Sequence, residues 1–241
     1  MKPRAYILVA DDGMAYSVNG AAAAKGFEYM GYEIHPFRYA ELESLELTPD
    51  TPVIGGMGTV KGALARLGVE PSHVSVPACL YEFTGRRVWR ATVSDVLAAG
   101  DYPIFIKPYQ DLKVFSGTIV TSEDAFEALI AARPGREELA PDFPLFCQEP
   151  IKIISEWRAF VLRGRVLGVS HYGGDPLAFP DAEVMRQAIA TYTEAGAPAG
   201  HSADFGVLVD GRTVIVEVND GYALGCGSLL ASLYAELLRA R

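Results

Sequence analysis

The sequence predicts two fold classes in one chain, a small α/β unit followed by a larger α+β unit. Before residue 70, short apolar strands alternate with helical segments, which is typical of a parallel sheet covered by helices. Beyond residue 80, strands pair around turn residues such as Asp210-Gly211, which is typical of antiparallel hairpins. Proline and polar residues cluster at 71–77 and predict the boundary between the units.

Length and composition exclude several classes of protein. The chain has 241 residues, 50% of them hydrophobic, which is enough to build a full core. Its net charge of −9 argues against binding to nucleic acid or to anionic membranes. Its apolar runs are strand-sized and its N-terminus lacks a signal-peptide pattern, so we expect a cytoplasmic protein. The three cysteines have no metal-binding spacing and are expected to be buried thiols.

The first unit is predicted to contain strands and helices in alternation. A buried strand ends at Asp11-Asp12, and an alanine-rich helix follows it. The predicted strands are 6–10, 32–37 and 52–56, and the predicted helices are 18–30 and 59–67.

The second unit mixes single strands, hairpins and capped helices. Thr92 and Asp95 form a capping-box pattern, and Asp181 follows a proline at the start of an amphipathic segment. The predicted helices are 93–99, 122–132, 181–195 and 228–240. The predicted strands are 103–108, 118–120 and 143–148, with hairpins over 156–172 and 203–218 that turn at Arg163-Gly164 and Asp210-Gly211.

The last hairpin brings two carboxylates together. A two-residue Asp-Gly turn places Asp204 opposite Glu217 and Ser202 opposite Asn219, all on one face. Carboxylates about 4 Å apart repel by roughly 4 kcal/mol at an effective dielectric near 20, which favours a cation between them. Oxygen ligands of this kind suit Mg²⁺ or Mn²⁺. Solvated charges on an exposed hairpin, or one protonated carboxyl, would explain the same pattern.

Cations and glycine follow the predicted strand 103–108. Lys107 ends this strand, and the next loop holds Lys113, Ser116 and Gly117. Lysine, hydroxyl and backbone N–H groups of such a loop can surround a polyphosphate. A solvated surface loop is the alternative.

Two further segments have features of a nucleotide site. Glu149 and Ile151 flank a proline at the end of an apolar strand, where free backbone groups can read an adenine edge. The Glu156 carboxylate can accept both hydroxyls of a ribose, and Arg158 points the same way on the strand. An ion pair at the protein surface is the alternative for these two side chains.

The order of these motifs resembles the ATP-grasp superfamily of carboxylate ligases. The resemblance covers about 81–241, and 1–75 is similar to the α/β domain that precedes the ATP-grasp fold. It implies an ATP-grasp domain over 76–241, with two α+β lobes at about 76–148 and 149–241, and a pre-ATP-grasp domain at 1–75.

The resemblance also implies ligands for each part of the site. Asp204, Glu217 and Asn219 match the residues that hold two Mg²⁺ ions on the phosphates of ATP. Glu149 and Ile151 match the adenine-binding segment, Glu156 the ribose-binding acid and Lys107 a phosphate-binding lysine.

A subgroup of the superfamily is similar in further residues. Arg90 stands where the first lysine of the superfamily is expected, and with Lys107 and Lys113 it resembles the clade named for one arginine and two lysines. The segments 156–158, 172–175 and 217–222 are also similar to that clade. Its members are expected to be peptide- or amide-forming ligases.

The resemblance implies an ATP-dependent carboxylate–amine ligase that works through an acyl phosphate. The protein must align two anions, which explains the cations around the site. Ser202 departs from many relatives, which have an arginine there, so Arg158 or Arg90 is expected to supply that charge. A catalytically inactive nucleotide-binding module and a small-molecule kinase are the alternatives. The sequence does not indicate an oligomeric state.

Three residues are candidates for contact with small-molecule or peptide substrates. His171 and Asp175 flank a Tyr-Gly-Gly segment, and a turn at 163–164 would place His171 opposite Glu156. A partly buried structural histidine is the alternative. Tyr222 follows the predicted metal-binding strand and is expected to line the substrate pocket.

Overall fold

The computed structural model describes residues 2–70, 75–109, 114–132, 137–222 and 224–241. Its strands form one three-stranded parallel sheet and two four-stranded antiparallel sheets. Within these described ranges, no helix combines the length and the apolar character needed to cross a membrane.

The first unit has the alternating order that the sequence predicts. Strand β1 (Arg4–Leu8) lies between β2 (Glu33–Phe37) and β3 (Val53–Ile54), and both pairings are parallel. Helix α1 (Val18–Tyr29) follows β1 and helix α2 (Met57–Arg66) follows β3. The Ser17 hydroxyl caps α1 by accepting the N–H of Gly20 at 3.0 Å.

The core of this unit also contains the last helix of the chain. Helix α6 (Ala231–Arg239) packs against α1, and its Tyr234 and Ala235 are buried with Phe27. Gly26 allows this approach, because a Cβ at that position would overlap the carbonyl oxygen of Ala231. The two ends of the chain therefore share one hydrophobic core, and the domain boundaries at residues 75 and 148 stay predictions.

Substituting Gly26 by alanine should lower the free energy of unfolding by about 1–3 kcal/mol, because the new methyl group forces α1 and α6 apart. Chemical denaturation measures the change. Gly58→Ala in α2 is the matched control, since a Cβ there meets no atom within 4 Å. Equal stability of the two variants would contradict the close α1–α6 contact.

The first antiparallel sheet forms the lobe before residue 148. It contains β4 (Val88–Thr92), β5 (Ile104–Pro108), β6 (Thr118–Val120) and β7 (Pro144–Gln148), in the order β4-β7-β5-β6. Helices α3 (Val93–Ala99) and α4 (Glu123–Ile130) connect these strands. The predicted capping box is confirmed, because Asp95 accepts the Thr92 N–H at 2.8 Å and Thr92 accepts the Asp95 N–H at 3.2 Å.

The second antiparallel sheet forms the following lobe. It contains β8 (Ile153–Leu162), β9 (Arg165–Gly174), β10 (Gly200–Leu208) and β11 (Thr213–Asp220), in the order β11-β10-β8-β9. Helix α5 (Ala182–Glu194) begins after Asp181, whose carboxylate accepts the N–H groups of Glu183 and Val184. Strand β10 is buried along its whole length.

The β10–β11 hairpin has the predicted pairs but a different turn. Asp204 lies opposite Glu217 and Ser202 opposite Asn219, as expected. The predicted two-residue turn is wrong, because the Gly211 N–H donates to the Leu208 carbonyl. That turn also requires a positive φ at both Asp210 and Gly211, and of these two residues only Gly211 has one. This longer turn shifts the register by one residue, and a bulge at Val216 shifts it back.

The β8–β9 hairpin turns at Arg163-Gly164 as predicted, with φ of 48° and 76°. Two register irregularities then change the pairing further along the strands. Glu156 lies opposite Gly173, and His171 lies opposite Trp157. The predicted pairing of His171 with Glu156 is therefore wrong.

Candidate active site

A cleft of about 1160 Å³ lies where the two antiparallel sheets face each other and meet the first unit. Lys107 and the segment 115–117 line it from one lobe, and Arg158, Glu217 and Asn219 line it from the other. The polar ends of β5, β8 and β11 thus converge on one space.

Glu217 and Lys107 connect the lobes across this cleft. The Lys107 ammonium lies 2.8 Å from Oε2 of Glu217, and both side chains are less than one-third exposed. The hydroxyl of Ser75 lies 3.4 Å from the same carboxylate oxygen. Burial opposes ionisation of Glu217, but the charge and hydrogen bond of Lys107 lower its pKa below the ordinary value.

Asp204 is held by a buried arginine. The Nε and Nη2 groups of Arg158 donate to its two carboxylate oxygens at 2.7 and 2.6 Å, and the Asp204 side chain is 1% exposed. The Arg158 guanidinium also lies 4.3 Å from the ring centroid of Tyr172. Burial opposes the charge on Arg158, but the bonds and charge of Asp204 raise its pKa above the ordinary value.

Asn219 lies between the two carboxylates. Its amide nitrogen is 3.3 Å from Oδ2 of Asp204 and 3.3 Å from Oε1 of Glu217. Amide oxygen and nitrogen positions are interchangeable by a flip, so the same side chain can present an oxygen to that point. Three oxygen donors can then face one cation, and the residues fit a hard divalent metal ion.

The candidate metal site consists of one amide and two carboxylates. Within the described ranges, no three His, Cys, Asp or Glu side chains form a metal-binding group by themselves. The two carboxylates are neutralised by Arg158 and Lys107. The repulsion expected from the sequence is therefore compensated by the protein's own side chains.

Glu156 adds a third carboxylate to this face of the sheet. It is half-buried and pairs with Gly206 on β10, two residues from Asp204. Burial is the main cause that raises its pKa, and the negative charges of Asp204 and Glu217 raise it further. A ligand that donates hydrogen bonds to Glu156 would stabilise its ionised form and lower its pKa again.

Arg90 and Lys107 share one face of the first sheet. Both lie directly opposite Phe146, which belongs to the strand between them. The Arg90 guanidinium lies 3.5 Å from the ring centroid of Tyr109, and Tyr109 lines the cleft. Arg90 and Lys107 thus lie on the side of the sheet that faces the cleft.

The glycine loop after β5 is partly described. Ser116 and Gly117 line the cleft, and a Cβ on Gly117 would lie 2.5 Å from the ring of Phe105. Lys113 lies outside the described residues.

The connection between the lobes contains Glu149 and Ile151. The Glu149 N–H donates to the Arg87 carbonyl at 3.0 Å, and its carboxylate accepts the Arg87 N–H at 2.9 Å. This N–H is therefore bonded to the residue before β4, and the assignment of Glu149 and Ile151 to adenine stays a prediction. Ile151 follows in the short segment that leads to β8.

Arg86 is a partly buried residue that supports the site and that the sequence did not reveal. It donates to the carbonyls of Ile215 and Val216 at 2.9 and 3.1 Å and to Oε1 of Gln148 at 2.5 Å. Burial lowers its pKa to about 10. It holds both peptides of the bulge that precedes Glu217, but an Arg-Arg pair in a sequence is more typical of solvated surface.

The substrate candidates have different positions. His171 packs against Trp157 with ring centroids 5.0 Å apart, on the face opposite Glu156 and Arg158, so its predicted place beside the site is wrong. Asp175 is exposed and accepts the N–H of Leu177 in the turn after β9. Tyr222 lines the cleft, and its contact with a substrate stays a prediction.

The sequence profile of the ATP-grasp domain, R2K clade family 2, matches residues 83–237. None of the curated proteins compared with the chain matches it. Solved structures do match over nearly the whole chain. A D-alanine–D-alanine ligase from Bacillus anthracis complexed with ATP has a TM-score of 0.58 at 19% identity, covering 100% of this chain and 95% of its own.

Two further solved structures have the same fold. A RimK-domain ATP-grasp protein from Sphaerobacter thermophilus has a TM-score of 0.57 at 17% identity, covering 97% of this chain and 99% of its own. The ATP-grasp ligase PsnB, complexed with a minimal precursor, has a TM-score of 0.54 at 12% identity, with full coverage of both chains. At identities this low, the structural similarity establishes a shared fold and nothing further.

Proposed function

Because this chain belongs to family 2 of the R2K clade of ATP-grasp domains, we propose that it is an ATP-dependent carboxylate–amine ligase that works through an acyl phosphate. One observation carries the proposal. Lys107 of one lobe contacts Glu217 of the other, and Asn219 joins Glu217 to the buried Asp204. This arrangement surrounds a small volume with both signs of charge, as phosphoryl transfer requires.

ATP lies between the lobes in this proposal. The carbonyl of Glu149 and the N–H of Ile151 read the adenine edge, and Glu156 accepts the ribose hydroxyls. Lys107, Arg90, Ser116 and Gly117 contact the phosphates, and Lys113 is assigned to them from its place in the sequence. Two hydrogen bonds from a ribose favour the ionised form of Glu156, which its burial otherwise disfavours.

Asp204, Glu217 and Asn219 would hold Mg²⁺, or Mn²⁺, which neutralises charge on the phosphates when it is bound. Cation binding at this point requires Arg158 and Lys107 to release the carboxylates that they contact. Both side chains then become available to the anions of the reaction. We assign Lys107 to the phosphates of ATP and Arg158 to the acyl phosphate.

The chemistry explains why several cations are needed. An oxygen of the substrate carboxylate attacks the γ-phosphorus of ATP, the bond from that phosphorus to the bridging oxygen breaks, and ADP leaves. The amine then attacks the acyl carbon, phosphate leaves, and the amine loses a proton. Both reactants of the first step are anions, so Arg158 and Lys107 must hold them together.

Arg158 is also the better candidate for the charge that relatives place at position 202. Ser202 is 0% exposed, so its hydroxyl does not reach the cleft. Arg158 lines the cleft and pairs with Asp204, whereas the Arg90 guanidinium lies over the ring of Tyr109. The names of the two ligases with a similar fold agree with ligation as the class of reaction.

The nucleotide assignment has a direct test by thermal unfolding. Mg-ATP should raise the melting temperature, because a ligand that binds only the folded state stabilises it, and Mg-GTP should raise it less. Lys107→Ala should reduce the effect of ATP, while Lys25→Ala, an exposed lysine of α1, should leave it unchanged. Equal stabilisation by ATP and GTP would contradict adenine recognition at 149–151.

Product analysis separates the ligase from its alternatives. With a suitable carboxylate, hydroxylamine should capture the acyl phosphate as a hydroxamate together with ADP. A stable phosphorylated product that hydroxylamine does not consume would instead indicate a kinase. ATP binding without any ADP release across a broad panel of carboxylates would indicate an inactive binding module.

A further inference from the structure

A second cavity, of about 640 Å³, adjoins the cleft on the side of the first unit. Its walls come from β3, α2 and α6 and from Gly221, Tyr222 and Leu224. It shares Val60, Leu64, Tyr222, Leu224 and Arg241 with the cleft. Its volume lies within the range of about 300–1,000 Å³ that is usual for small-molecule sites.

The interior of this cavity is mainly apolar. Its apolar lining includes Tyr32, Val53, Leu64, Leu67, Leu224 and Leu238. The polar side chains of its wall near α1 already have partners. The Ser17 hydroxyl accepts the Gly20 N–H, and the Asn19 amide oxygen accepts the Cys226 N–H at 3.1 Å.

Arg241 is the charged side chain that the cavity shares with the cleft, and Asp50 and Arg239 also line the cavity. Arg241 donates to the two carboxylate oxygens of Asp220 at 2.5 and 2.8 Å, and its guanidinium lies 4.6 Å from the ring centroid of Tyr222. These bonds leave further guanidinium N–H donors for a ligand. Asp220 directly follows Asn219, so this charged junction borders the proposed reaction centre.

We propose that this cavity holds the body of the carboxylate substrate, and that the substrate carries a bulky aromatic or branched apolar group. This inference rests on the proposed ligase function. The carboxylate lies at the junction, near Arg241 and the cleft, and the apolar group enters the cavity between β3, α2 and α6. A polar side chain of the same size that lay against the apolar walls would lose hydrogen bonds to water without replacing them.

Size also matters for selection. A small substrate would leave most of the cavity unfilled and would lose contact with its apolar walls. One missing methylene in an apolar pocket changes discrimination by about 10-fold or more. The cavity therefore selects substrates by apolar bulk, whereas the junction selects for the acid group.

Calorimetric titration with four amino acids tests this assignment in the presence of Mg-ADP. Phenylalanine, leucine, alanine and asparagine share one head group and differ only in the side chain. Phenylalanine and leucine should bind at least about 10-fold more tightly than alanine, and asparagine should bind more weakly than leucine. Equal affinities for the four amino acids would overturn the proposal.

Filling the cavity provides the second arm of the test. Leu67→Trp should weaken binding of phenylalanine and leucine at least about 10-fold while Mg-ATP still raises the melting temperature. Ala65→Trp, on the exposed side of the same helix end, is the matched control and should bind as wild type. Unchanged binding of leucine by Leu67→Trp would also overturn the proposal.

The two proposals can fail separately. If apolar amino acids bind as expected but give no hydroxamate with ATP and hydroxylamine, the ligase function fails and the cavity assignment holds. If hydroxamate forms with alanine and asparagine as readily as with leucine and phenylalanine, the cavity assignment fails and the ligase function holds.

Discussion

Glu217→Gln should reduce ATP turnover at least about 100-fold and remove the part of the ATP-induced stabilisation that depends on Mg²⁺. The substitution keeps the shape of the side chain but removes the charge opposite Asp204. It also removes the ion pair with Lys107 across the cleft. Steady-state ADP release and melting curves with and without Mg²⁺ measure the two effects.

The stability of Glu217→Gln without ligands tests whether the charge of Glu217 stabilises or destabilises the fold. The sequence alone suggests that losing one of two facing carboxylates relieves repulsion and stabilises the protein. The structure reverses this expectation, because the pKa of Glu217 is lowered and its ionised form stabilises the fold above its unfolded pKa. Glu217→Gln should therefore be less stable than wild type at neutral pH, and the difference should vanish as the pH falls through the lowered pKa.

Asp210→Asn is the matched control for Glu217→Gln. It removes a carboxylate from the turn of the same hairpin, where the side chain is 54% exposed and far from the cleft residues in the sheet register. This control should keep wild-type turnover and Mg²⁺ dependence. If Glu217→Gln behaved like Asp210→Asn, Glu217 would not be a metal ligand.

Arg158→Ala should lower the free energy of unfolding by about 3–5 kcal/mol at neutral pH, because it leaves the carboxylate of Asp204 buried without its cationic partner. The deficit should shrink on acidification, since burial already raises the pKa of Asp204 and loss of Arg158 raises it further. Chemical denaturation at several pH values measures both effects.

The control for Arg158→Ala is another arginine of the same sheet. Arg212 pairs with Asp210 on the surface, and its side chain is 62% exposed, so Arg212→Ala should change stability little. The double variant Arg158→Met/Asp204→Leu should recover most of the lost stability, because it removes both buried charges. A double variant no more stable than Arg158→Ala would show that the guanidinium acts through packing.

Much of the local structure can be predicted from neighbouring residues. Caps at Thr92 and Asp181 depend on side chains within one helical turn, and short continuous apolar runs identify strands such as β5 and β7. The sequence pattern does not identify strand β4, although Arg90 within it is a predicted site residue. Its short Val-Trp-Arg-Ala-Thr pattern runs directly into the cap of α3, so the strand has no boundary signal of its own.

The pairing of Asp204 with Glu217 could be predicted although the turn could not. The longer turn at Gly211 and the bulge at Val216 shift the register in opposite directions, so the two errors cancel at the metal-ligand positions. In the neighbouring hairpin the irregularities do not cancel, and His171 moves to the opposite face. A one-residue shift reverses which side of a sheet a residue faces.

The sequence by itself determined the order of strands and helices, the helix caps and the set of oxygen donors at 204, 217 and 219, because these follow from short-range patterns and residue chemistry. Only the tertiary structure decided which cations neutralise that set, how Arg86 holds the bulge, and that α6 completes the first unit. Each of these depends on contacts between residues far apart in the chain. Such contacts are decided by packing and burial of the whole molecule, which no local pattern records.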